Sequence, residues 1–116
     1  MVDLVQDIVT KTLATSGSKT VAHTFMQAFF KELKENEQQL PVLMTEKKTQ
    51  EIAMMLHKLA GACGYFGANE LHDITLAVEK IARQEDVAAL QIQLPRVLHA
   101  LKQVIEKEQV VIHHFG

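Results

Sequence analysis

Three features of the sequence predict an all-α fold, an antiparallel four-helix bundle with a short N-terminal helix covering one end. Aliphatic residues dominate a hydrophobic content of 47%, while aromatics make up 5% and tryptophan is absent. Only five glycines and two prolines interrupt 116 residues, a composition that favours helices over sheets. Apolar residues recur at steps of three and four in segments joined by short breaks, and short connections make successive helices antiparallel neighbours. A chain of this length buries one core and not two. Residues 1–116 therefore read as a single domain, with no internal repeat and no linker.

The first helix is expected over residues 3–14, anchored by Leu4, Ile8 and Leu13, and Thr15 to Ser18 is the first turn signal. Ser18 is a good N-cap for a helix over 18–39, in which Val21, Phe25, Phe29 and Leu33 stand at helical spacing. Leu40-Pro41 should close it, because proline ends or kinks a helix. Thr45 is placed to cap a third helix over 46–66, and Gly67 supplies the break after it. A fourth helix over 69–83 turns Leu71, Ile74, Val78 and Ile81 inward. Asp86 caps the last helix, over 86–108, where Val87, Leu90, Leu94, Val97, Leu101 and Val104 form a bundle seam. Pro95 lies inside that seam and should kink or split the helix. The tail, residues 109–116, lacks clear periodicity.

The third helix carries the functional signal. At about 100° per residue, Ile52, Met55, Leu56, Leu59, Ala62, Cys63 and Phe66 form one apolar stripe, and His57 points the other way. Around His57, within about 60° of the same wheel, lie Gln50, Ala53, Met54, Ala60, Gly61 and Gly64. A glycine inside a helix costs about 0.5–1 kcal/mol relative to alanine. Two of them beside one exposed imidazole imply that another macromolecule approaches that ring closely.

Composition removes several function classes. A formal charge of −2 argues against a nucleic-acid partner. No run approaches the roughly 18 apolar residues that span a bilayer, and no leader is recognised, so no membrane partner is expected. The single cysteine cannot form an internal disulfide, which fits a reducing, cytoplasmic setting. Helical metal sites use pairs such as Glu-x-x-His or His-x-x-x-His; neither spacing occurs in the sequence, so no metal site is expected.

The run His57-Lys58-Leu59-Ala60-Gly61, with a second glycine, Gly67, ten residues after the histidine, resembles the histidine phosphotransfer (HPt) domain. The resemblance extends over nearly the whole chain in helix order. It is nearest to HPt domains at the C-termini of hybrid sensor kinases of the BarA/GacS kind, which share His-Lys-Leu-x-Gly, a Cys-Gly-Tyr-like stretch and the later glycine. The resemblance implies a phosphorelay carrier, not an enzyme in its own right. On it, His57 is the phospho-acceptor, Gly61 leaves room for an incoming receiver domain, and Glu79, on the following helix, orients the imidazole. Many members have lysine three residues after the histidine, where this chain has Ala60. The nearby cation is Lys58, whose stem could swing an ammonium toward a phosphoryl group.

The implied partners are response-regulator receivers and a hybrid sensor kinase. The implied Mg²⁺ is bound by the receiver, with no cofactor on this chain, which is expected to be a monomer. If Glu79 accepts the N–H of Nδ1, the lone pair of His57 lies on Nε2. That nitrogen then attacks an aspartyl phosphate, with Gln50, Ala53, Met54, Ala60, Gly61 and Gly64 as the docking ring. Two other readings compete: a non-phosphorylated helical adaptor, and an HPt-like module that docks a receiver without accepting phosphate. The remaining histidines read as surface or boundary residues, His113-His114 as part of a disordered tail, and Cys63 as a small buried hydrophobe.

Overall fold

Side-chain caps written into the sequence set three helix starts. In a computed structural model, which describes residues 3–116, Asp3, Ser18 and Asp86 each accept a backbone N–H from the first turn of the helix that follows. The helices are α1 (Leu4–Ser16), α2 (Lys19–Thr45), α3 (Thr49–Phe66), α4 (Asn69–Arg83), α5 (Val87–Ile105) and α6 (Glu108–His113), with no strand among the described residues. The fold is all-α. Helices α2 to α5 pack as an antiparallel ring in which α3 meets α2 and α4, and α5 meets α4 and α2. The α3–α4 pair is the most extensively packed. Among the described residues no helix is long and apolar enough to cross a membrane.

The core is continuous from Ile8 through Phe29, Phe30, Leu33 and Leu40 of α2 to Ile52, Leu56, Leu59 and Cys63 of α3. Leu71 and Val78 of α4 and the seam of α5 complete it. On α2 the stripe is rotated from the expected one. Ala22, Met26 and Phe30 are buried, while Val21 and Phe25 are exposed.

Helix α2 does not stop at Pro41 but runs one turn further. Pro41 is exposed, so its ring faces solvent, and the apolar residues beyond it, Leu43 and Met44, pack on the core. Thr45, expected to cap α3, belongs to α2, where its hydroxyl donates to the Pro41 carbonyl at 3.0 Å. Helix α3 begins at Thr49, after a turn in which Lys47 adopts a positive φ of 56°. Pro95 likewise lies on the exposed side of α5, which stays continuous. The tail is ordered: α6 buries Val111, Phe115 follows it into the core, and Glu108 pairs with Lys34 of α2.

The N-terminal helix crosses the α3–α4 turn. Gly67 closes α3 in the left-handed region, with a φ of 78°, where glycine pays no Cβ penalty. A Cβ there would also sit 2.7 Å from the Asp7 carbonyl oxygen and from Cβ of Lys11. One glycine thus permits both the turn and the seating of α1.

Candidate functional site

The tight turn at Gly67-Ala68 sends α4 back antiparallel to α3 and sets which residues meet across the seam. His57 lies opposite Glu79, and Gly64 lies opposite His72. Small residues line α3 where α4 approaches: Ala53 is 0% and Ala60 3% exposed. Their size lets the two helices come close enough for the side chain of Glu79 to reach the imidazole.

The His57 side chain is 70% exposed, whereas that of Glu79 is only 9% exposed. Nδ1 of His57 lies 3.3 Å from Oε2 of Glu79. That same oxygen accepts from Nε of Arg83 at 2.7 Å, and Nη2 of Arg83 lies 2.7 Å from it. A carboxylate held by a guanidinium is ionised and can only accept. In the neutral ring Nδ1 then carries the proton and donates it, and the lone pair lies on Nε2. That nitrogen has no hydrogen-bond partner among the described residues. Burying a carboxylate is costly unless it is paired, and Arg83, one turn on along α4, supplies the pairing.

The structure separates the expected docking ring into two groups. Gln50, Met54 and Gly61 are exposed, Met54 by 66%, and nothing lies within 4 Å of a Cβ built on Gly61. Ala53 and Ala60 are corrections. Both share the wheel sector of His57, but α4 covers that part of it, so neither can meet a partner. Gly64 is half-buried, and a Cβ there would lie 3.2 Å from the His72 ring, so the space it leaves is filled from within the chain. Lys58 is exposed and lines the groove between α2 and α3, on the other side of His57 from Arg83.

Arg83 is the residue that motif reading missed, although an acidic residue four positions before a basic one on a helix is a legible pairing signal. Leu76 and Tyr65 are further exposed apolar side chains that the pattern had not marked, and Phe25, expected on the apolar stripe of α2, is exposed as well. Tyr65 stacks edge-on against Phe66, which in turn touches Phe25 and Phe29. Cys63, on the core side of α3, is a buried thiol pushed up to about 12 by burial, with the Glu32 carboxylate adding to the effect. It is no nucleophile at ordinary pH.

In comparison with known families, the model of the Hpt domain matches residues 24–107, from within α2 to the end of α5. Helices α1 and α6 lie outside it. No curated protein and no solved structure matches the chain.

Proposed function

Because this chain belongs to the Hpt domain family, whose members carry phosphoryl groups on histidine in phosphorelays, we propose that His57 is the acceptor and that a response-regulator receiver domain is the donor. The observation that carries the reading is the exposed imidazole whose Nδ1 is pinned by a carboxylate that Arg83 holds in place.

In the proposed step the Nε2 lone pair attacks the phosphorus of an aspartyl phosphate on the receiver. The N–P bond forms as the P–O bond to the aspartate breaks, and the aspartate leaves as a carboxylate. The ring becomes an N-phosphorylated imidazolium, its Nδ1 proton retained on the hydrogen bond to Glu79, which offsets the new positive charge. Phosphoryl transfer depends chiefly on positioning and charge neutralisation. The receiver supplies Mg²⁺ and the groups around its aspartate, and this domain supplies an oriented nucleophile and a docking face. It acts as a carrier and not as a catalyst. Lys58 is exposed and one residue from His57, and it is the cation proposed to approach the phosphoryl oxygens in place of the lysine that Ala60 replaces. The reading puts the domain in the cytoplasm as a monomer. The His-Lys-Leu-x-Gly run supports a place among the domains that end hybrid sensor kinases of the BarA/GacS kind.

The test is transfer of label from a panel of phosphorylated receiver domains to the wild-type chain and to His57→Gln. Acid-labile, base-stable label on the wild type alone is the expected result. Binding without label on either chain would replace the reading with a docking-only module.

A further inference from the structure

A cavity of about 610 Å³ is an open groove between α2 and α3 that begins one turn from His57. Its apolar lining includes Met54 and Met55, unbranched thioether side chains that adapt to what is laid on them. Around them stand the carboxylates of Glu32, Glu35 and Glu51, with Lys31 and Lys58 as the only cations of the lining. Among the described residues none of these five charges forms an ion pair, although the two lysines share the groove with the three carboxylates. The groove therefore presents an excess of unpaired negative charge around an apolar surface. It is continuous with the exposed face of α3 that carries His57, Met54 and Gly61.

We propose that this groove is a specificity subsite for the receiver domain, taking up one of its lysine or arginine side chains. The aliphatic stem lies along Met54 and Met55, and the cationic head meets Glu32, Glu35 and Glu51. Long basic side chains suit such a site because they bury an apolar stem while keeping the charge at a polar rim. A rim pairing of this kind selects among partners and steers their approach. The inference rests on the phosphotransfer reading of His57 and adds to it the chemistry by which receivers are told apart.

The experiment uses a receiver that transfers to the wild-type chain, its aspartate held as the beryllofluoride complex, with affinity measured by calorimetry at two salt concentrations. Glu32→Gln/Glu35→Gln should weaken the complex about tenfold and make its salt dependence shallower. The charge-matched control Glu85→Gln/Glu106→Gln should bind as wild type does. Met54→Ala, at an exposed position, should weaken the complex through the lost stem contact. Unchanged affinity in the groove variants, or an equal loss in the control, overturns the proposal. So does self-association of the wild-type chain that competes with the receiver, which would assign the groove to a second copy. Labelling of the wild-type chain by phosphoramidate, a small donor needing no docking surface, tests His57 separately. Absence of that label fails the acceptor reading, whereas unaltered receiver affinity fails the groove alone.

Discussion

The two flanks of His57 on α3 are built from opposite materials. Toward α4 the surface is closed: Ala53 and Ala60 are buried against the neighbouring helix, and Glu79 and Arg83 form an ion pair there. Toward α2 it is open, with Met54 and Lys58 exposed, Gly61 facing empty space and a groove beyond them. One flank holds the ring and the other leaves it approachable. Small residues serve both flanks, but for different reasons, since Ala60 is small to admit α4 and Gly61 has no internal neighbour to spare.

The largest effect expected is at the ring itself. His57→Gln should abolish phosphoryl acceptance in the transfer assay while leaving the helical circular dichroism unchanged, because the side chain is mostly solvent-exposed.

Next comes a pair of adjacent substitutions that should part in sign. Ala60→Leu overfills the α3–α4 seam and should lower stability by about 1–3 kcal/mol, read in a urea melt. Gly61→Leu should raise stability by about 0.5–1 kcal/mol, as a glycine leaves a helix interior, and yet weaken receiver binding. A Gly61 variant that is both more stable and binds normally would remove the close-approach argument for that flank.

Glu79→Ala removes a charge-assisted hydrogen bond, worth about 1.5 kcal/mol, and so should slow transfer by about tenfold without ending it. Cys63 tests the core side of the same helix. Its thiol stays protonated in the folded state up to about pH 12, whereas the unfolded thiol ionises near the ordinary value of 9.0. The unfolded state therefore binds fewer protons above pH 9, and stability is lost as pH rises from there toward 12. At pH 10 the wild type should lose about 1.4 kcal/mol more than Cys63→Ala, relative to pH 7. Smallest is Arg83→Met, expected to cost about 0.5–1 kcal/mol, since its guanidinium is half exposed. It should also slow transfer less than Glu79→Ala does. Equal slowing would mean that the carboxylate is of no use to His57 without its arginine.

The elements that could be read before folding were those written in local chemistry. Ser18 and Asp86 cap the helices they were expected to cap, and Gly67 ends α3, because a side chain reaching back to its own first turn, or a left-handed φ, is decided within a few residues. Pro41 misled for a non-local reason. Losing one N–H on the solvent side is tolerated where Leu43 and Met44 gain burial by continuing the helix. Residues 109–116 are too few to show a period, and Val111 and Phe115 become core only because α1 and α2 are there to receive them.

The site divides in the same way. The sequence by itself determined that α3 has an apolar stripe and that His57 lies off it, since a helical wheel depends only on residue order and a fixed angle per residue. It also determined that an acidic residue, Glu79, stands on the next helix. Only the tertiary structure decided which sector of the wheel α4 would cover, and with it that Ala53 and Ala60 are buried while Met54 and Gly61 are not. The same packing brought the Glu79–Arg83 pair, formed along α4 itself, beside the ring and opened a groove on the opposite flank. The angle of a side chain on its own helix is local, but what lies at that angle is set by the closing of the bundle.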